Sequence, residues 1–229
     1  MDVVNDTIFN TWSKPLQKLL YSEYFSRLVK FINKAYEDNI IFPAKKNIFK
    51  AFRATDYKNL KVVILGKDPY PDGKATGIAF GNDNSIIGDN KISPSLLKIK
   101  ECIEHNIYNG LNLDFDQTLE SWSGQGVLLL NTSLTVKKNE IGSHHKYWAK
   151  FVVETLKMIN DNNSGIIFML WGKDAQVYEE YISLSKHYVL KFNHPSWAAR
   201  KDILWDCDHF KKANELIEKN NGKEFCIKW

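Results

Sequence analysis

KVVILGKDPYPDGKATGIAF, residues 61–80, opens on an apolar run, Val62–Leu65, and breaks at once into glycine, lysine, aspartate and proline. Three further runs do the same: VLLL at Val127–Leu130 breaks into NTS, IIFML at Ile166–Leu170 into WGK, and YVLKF at Tyr188–Phe192 into NHPS. Short β-rich apolar runs alternating with longer segments of helical spacing predict buried parallel strands with helices on both faces. The expected fold is α/β: a single domain with a central four-stranded parallel sheet flanked by helices. Such sheets bind ligands just beyond the carboxyl ends of their strands. The polar breaks therefore gather Asp68, Tyr70, Asn131, Gly172, His194 and Ser196 along one edge, the predicted active site.

Outward from these runs the chain reads as one continuous domain. Phe25, Leu28, Val29, Ile32 and Tyr36 form an apolar stripe on a helix from Glu23 to about Asn39, which Pro43 keeps from continuing. A second helix is expected from Ser95, after Pro94, with Leu96, Leu97, Ile99 and Ile103; a third from about Tyr147 to Asn160, with Phe151, Val152, Leu156 and Ile159. Lys173–Tyr181 and His209–Lys219 supply the last two. Gly81–Ser93 is the most polar connection and the expected mobile loop.

The 229 residues suffice for one well-buried core. No apolar stretch approaches bilayer length, and the start, MDVVNDTIFNTW, lacks the basic and apolar regions of a secretory signal, so a cytoplasmic protein without membrane contact is expected. Cys102, Cys207 and Cys226 are an odd, widely spaced set, which argues against a disulfide framework and a structural zinc site. A net charge of +4 does not by itself predict nucleic acid. Of the 31 basic residues only Arg27, Arg53 and Arg200 are arginine.

The chemistry lies in the breaks. Two prolines and two glycines make residues 66–80 a compact loop. A carboxylate at its start, Asp68, can serve as a base or stabilise positive charge; taken alone, it reads equally as a turn residue. Gly66-Lys67 lacks the spaced glycine and the Ser/Thr of a phosphate-binding loop, which disfavours nucleotide hydrolysis. Asn131 offers a donor and an acceptor in one plane, suited to the edge of a pyrimidine, or simply ends a strand. His194 is stiffened by Pro195. Adjacent His144 and His145 lack a third metal ligand, so structural duty is expected of them.

Together these residues carry a resemblance. KVVILGKDPYP…GIAF resembles the KVVILGQDPYH…GLAF signature of the main family of uracil-DNA glycosylases, and GVLLLNTSLTV its GVLLLNT-LTV segment. SPSLLKI at Ser93–Ile99, SHHKYW at Ser143–Trp148, MLWG at Met169–Gly172, NHPS at Asn193–Ser196 and HFKKANEL at His209–Leu216 are similar to further family segments, in family order. They span roughly residues 24–229, leaving about 1–22 as an N-terminal extension of the single domain.

The resemblance implies a monofunctional enzyme that excises uracil from DNA, with no metal or organic cofactor. Asp68 would orient the attacking water and stabilise the sugar cation, and His194 would donate to uracil O2. Tyr70 would exclude the thymine methyl group, Phe80 would stack on the flipped base, and Asn131 would read N3 and O4. Lys67 stands at a position that contacts the base. Ser95, Gly172, Lys173 and Ser196 would hold the DNA backbone. Single- and double-stranded uracil-containing DNA are the expected partners, a proteinaceous inhibitor is a candidate partner, and a monomer is expected.

The chain departs from the family at the rim of the site. Lys67 replaces a glutamine and Pro71 a histidine. NHPSWAAR is two residues shorter to Arg200 than the family's HPSPLSA-R loop and lacks its leucine wedge. Trp197 and Arg200 are the candidates to fill that role, although Trp197 reads equally as a residue packed beneath the loop. A shortened wedge predicts a preference for single strands. The alternative is a catalytically weak relative acting as a DNA-binding or partner-binding scaffold, which has no reason to keep Asp68, Phe80, Asn131 and His194 together.

Overall fold

The computed structural model describes residues 6–83 and 91–229. In chain order the helices are α1 (Asp6–Phe9), α2 (Gln17–Leu20), α3 (Glu23–Asp38), α4 (Lys50–Ala54), α5 (Pro94–Asn106), α6 (Glu120–Gly124), α7 (His145–Asn162), α8 (Lys173–Gln176), α9 (Pro195–Lys201) and α10 (His209–Asn221). The strands are β1 (Ile41–Phe42), β2 (Val62–Gly66), β3 (Val127–Asn131), β4 (Val136–Lys137), β5 (Ile167–Trp171) and β6 (Tyr188–Phe192). The four apolar runs of the sequence are β2, β3, β5 and β6, and they form one parallel sheet in the order β3-β2-β5-β6. β1 and β4 pair separately as a two-residue antiparallel ladder.

Successive residues of a strand face opposite sides of the sheet, so each run divides between two cores. Val63, Leu65, Leu128, Leu130, Phe168 and Leu170 join one, with Phe25, Leu28 and Ile32 of α3 and Phe151, Val152 and Leu156 of α7. Val62, Ile64, Val127, Leu129, Ile167 and Met169 join the other, with Leu96, Ile99 and Ile103 of α5 and Phe210, Ala213 and Ile217 of α10. That double burial is why these runs read as continuously apolar instead of alternating. Residues at the N-terminal end also enter the first core: Phe9 and Trp12 are fully buried, and Trp12 Nε1 donates to the Thr55 carbonyl at 2.7 Å.

Helix boundaries follow local chemistry. The Ser22 side chain caps α3 by accepting from the Phe25 amide at 3.1 Å, and Pro94 occupies the first turn of α5, where its missing N–H costs nothing. The segment expected as one helix from Lys173 to Tyr181 is a single α-turn followed by a 3₁₀ stretch, Val177–Tyr181. The expectation of a mobile loop between Gly81 and Ser93 falls largely on residues 84–90, which lie outside the described residues. Its flanks are held: the Asn82 amide donates to the Gln117 carbonyl at 2.8 Å, and the Ser93 amide to Asn82 Oδ1 at 3.0 Å. Among the described residues no helix is long and apolar enough to cross a membrane.

The topology fixes where a ligand fits. From β2 the chain crosses outward to β3; from β5 it crosses the other way to β6. Adjacent strands whose connections diverge leave a crevice at their carboxyl ends. Here it opens between the loop after β2 and the turn after β5.

Candidate active site

A pocket of about 470 Å³ occupies that crevice. Its wall includes Lys67, Asp68 and Tyr70 from the loop after β2, Phe80 farther along it, Ser95 from α5 and Asn131 from the end of β3. Gly172 and Lys173 come from the turn after β5, and His194, Ser196 and Arg200 from the entry and body of α9. Eleven of the twelve residues singled out in the sequence therefore meet around one cavity. Trp197 stands off the wall, 36% exposed on α9, with Lys201 Nζ 4.6 Å from its ring centroid. It does not pack beneath the loop. The other six tryptophans are buried.

The loop after β2 is bound to the loop after β3. The Thr132 amide donates to the Gly66 carbonyl at 2.9 Å, and both the Ser133 amide and Thr132 Oγ1 donate to the Lys67 carbonyl at 3.0 Å. Asp68 is thus presented by rigid backbone. Among the described residues neither of its buried carboxylate oxygens has a hydrogen-bond partner, and nor does Asn131 Oδ1. Unpartnered buried acceptors are rare, and each calls for an explanation. Burial raises the Asp68 carboxyl above the usual carboxylate range, against the pull of Lys67, His145 and the neighbouring Gly142 amide; Asp174 adds to the rise.

His194 has one competent tautomer. Nδ1 accepts from the Ser196 amide at 3.1 Å and lies 2.8 Å from Ser196 Oγ, to which Arg200 Nη1 in turn donates at 3.2 Å. With Nδ1 engaged as an acceptor, the ring proton sits on Nε2. Burial, assisted by Arg200 and Lys67 and opposed by Asp174, lowers its pKa to about 4, so the ring is a neutral donor at physiological pH.

Phe80 forms an aromatic wall whose ring centroid lies 5.7 Å from that of His194 and 5.4 Å from that of Trp171. Its φ of +63° is rare for a bulky residue and costs roughly 1–3 kcal/mol, which its neighbours must offset. Tyr70 Oη donates to the Phe80 carbonyl at 3.2 Å, and the Ala79 amide to the Leu129 carbonyl at 3.1 Å. Gly172, at φ +83°, lets the turn after β5 approach α9: a Cβ there would lie 2.8 Å from His194 Cβ.

Three groups in the wall escaped sequence reasoning. Trp171 is the last residue of β5, and its ring is oriented by Nε1 donation to His209 Nδ1 at 3.0 Å. Asp174 pairs with Lys67 across the mouth at 2.8 Å, and Ile141, 68% exposed, sits on the rim. A strand-end tryptophan was legible as a signal; an ion pair between residues over a hundred positions apart was not. His144 is structural: Nδ1 lies 2.8 Å from Thr135 Oγ1, which accepts from Trp148 Nε1 at 2.7 Å.

Chemically, the pocket wall combines a buried carboxylate, a neutral N–H donor, an aromatic ring and a planar amide. That set can hold a flat heterocycle by stacking and edge recognition while a bond to it is broken.

Comparisons with known proteins point the same way. The profile of the uracil DNA glycosylase superfamily matches residues 52–218. The uracil-DNA glycosylase of Fusobacterium nucleatum is 38% identical over 224 residues, 97% of this chain and 96% of the relative. That of Clostridioides difficile is 38% identical over 217 residues, 94% of each chain. The crystal structure of mimivirus uracil-DNA glycosylase superposes with a TM-score of 0.83 at 25% identity, covering 95% of this chain and 86% of the viral one. A point variant of the mimivirus protein in complex with UGI superposes at 0.85 and 25% identity, covering 96% and 88%.

Proposed function

The chain belongs to the uracil DNA glycosylase superfamily, and on that footing we propose that it hydrolyses the N-glycosidic bond of deoxyuridine in DNA, the first step of base excision repair. The observation that carries the reading is the meeting of Asp68, Tyr70, Phe80, Asn131 and a neutral His194 in one pocket at the strand ends.

Flipping the target nucleotide into such a pocket costs a few kcal/mol of stacking and pairing, which contacts to the base and backbone must offset. Phe80 stacks on the uracil, and the Asn131 amide pairs with N3–H and O4, an edge that cytosine does not present. Tyr70 closes the space beside C5 and so excludes thymine. Lys67 contributes its backbone to the base contact. As the C1′–N1 bond lengthens, positive charge grows on the sugar and negative charge on the base. Asp68 stabilises the first and holds the attacking water, while His194 Nε2–H donates to O2 of the second. The water oxygen adds to C1′, its proton is released toward Asp68, and uracil departs as the N1 anion. No step requires an amine nucleophile, so the product is an intact abasic site.

Ser95, Gly172, Lys173 and Ser196 hold phosphates on either side of the target, with Arg200 beside Ser196. Trp197, exposed on α9, fills the space left by the flipped base. The enzyme acts as a cytoplasmic monomer on single- and double-stranded DNA. The similarity to a viral relative held by UGI makes a proteinaceous inhibitor of this chain a reasonable partner.

The test is release of free base from oligonucleotides carrying one uracil, with the native protein, Asp68→Asn and His194→Ala. Native release reduced in the His194 variant by on the order of 10²–10³, the usual cost of one oxyanion donor, is expected. Salt-sensitive DNA binding without release would instead favour the scaffold reading, and strand scission without added base would remove the monofunctional assignment.

A further inference from the structure

Among the described residues neither carboxylate oxygen of Asp68 finds a hydrogen-bond partner, the Gly142 amide being only a neighbour that favours the charged form, yet Asp68 has to be ionised to work in the reaction proposed above. A carboxylate taken out of water without donors reverts to its neutral form unless charge nearby opposes this. The charged and titratable groups that face it come from three directions: Lys67 on its own loop, His145 at the start of α7, and Asp174 at the start of α8. Lys67 is the one lysine or arginine in this set. Its Nζ is not left to wander over the mouth, because Asp174 Oδ2 holds it at 2.8 Å.

We propose that Lys67, anchored across the pocket mouth by Asp174, is a positioning residue that supplies the positive charge facing the Asp68 carboxylate. The proposal rests on the glycosylase reading and deepens it. At this position the motif that the chain resembles carries a neutral glutamine, which offers a hydrogen bond to the base but no charge. The lysine at position 67 is matched by an acidic partner at the start of α8, which a lysine serving only as a loose phosphate contact would not need. Because both side chains of the pair are about half exposed, the field of Lys67 at Asp68 is open to screening by salt, with a Debye length of about 8 Å at physiological ionic strength.

The experiment compares native protein, Lys67→Gln and Lys67→Arg by two readouts. One is the pH profile of kcat on a single-stranded oligonucleotide carrying one uracil. The other is titration of the Asp68 side chain by carbon NMR of aspartate-labelled protein, assigned with Asp68→Asn. Removing the cation disfavours the ionised carboxylate, so Lys67→Gln moves both the acid limb and the Asp68 titration up by roughly half a pH unit. Lys67→Arg restores them, and the difference between native and Lys67→Gln shrinks at high salt. An unchanged titration and acid limb, with the loss confined to KM at every pH, would overturn the proposal and leave Lys67 a phosphate contact. If the native protein released no uracil, the glycosylase reading would fall, and the NMR titration would still decide whether Lys67 controls Asp68.

Discussion

Gly66 ends β2 directly against the Asn131 amide. A Cβ at this position would lie 2.3 Å from Asn131 Oδ1 and 3.0 Å from Ala79 Cβ, in a strand with no room to yield. Gly66→Ala therefore pushes the amide out of plane while leaving its chemistry intact. Misplacement of a positioning group by about an ångström costs on the order of 10²-fold in rate, and that loss is expected in kcat/KM for uracil release. Gly124→Ala, a position in α6 with open space around it, is expected to change nothing. Equal activity of the two variants would argue against Asn131 as the base-reading group. At this scale the sequence was informative where a polar group ends or closely follows a strand, because strand ends are legible from apolar runs: Asp68, Asn131 and His194 were placed on the pocket wall that way. Asp174 and Ile141 were not, since their place in the wall depends on how distant loops fold toward each other.

Among the elements, α9 carries most of what distinguishes this chain. Its seven residues begin with Pro195 and are capped by His194, whose side chain accepts from the Ser196 amide. One short helix thus fixes the His194 imidazole, Ser196, Trp197 and Arg200 as a unit. Ala198 is fully buried, and Arg200 is tied to Ser196, which leaves Trp197 as the large apolar side chain projecting from the helix beside the pocket. An apolar wedge matters where a stack must be broken and refilled, and little where none exists. Trp197→Ala is expected to lower release from duplex by roughly tenfold or more, about 1.4 kcal/mol of flipping free energy, with single-stranded release nearly unchanged. Parallel loss on both substrates would assign Trp197 to backbone binding or to stability. The four strands of the sheet were readable as unbroken apolar runs, and the helices α3, α5, α7 and α10 because each is long enough for a helical period to show. β1, β4, α4 and α6 span two to five residues each, and their conformation is set by what they pack on, which a single sequence does not display.

Across the whole molecule, burial keeps several histidines neutral in the folded state near pH 7. His194 and His209 are lowered to about 4, chiefly by burial, and His144 and His187 are lowered as well, again by burial first. An unfolded histidine titrates near 6.5. Between that pH and about 4 the unfolded chain binds more protons than the folded one, so stability rises with pH through the window. It is complete above the unfolded value and declines as acid is added, by up to about 1.4 kcal/mol per pH unit for each of His194 and His209. Asp68 works in the opposite sense, since its raised carboxyl takes up a proton more readily folded than unfolded, and it offsets part of the loss at the acid end. Urea denaturation followed from pH 7 to pH 5 should show the midpoint falling steadily. His209→Asn, which keeps an acceptor for Trp171 Nε1 and cannot be protonated, should flatten that fall. His209 lies in the second core, 3% exposed, behind the pocket wall at Trp171, so the same variant should leave the acid limb of base release in place while changing the acid limb of unfolding. A midpoint independent of pH over this range would mean that these imidazoles are already open to protons in the folded state, and the neutral, preorganised His194 donor would lose its physical basis.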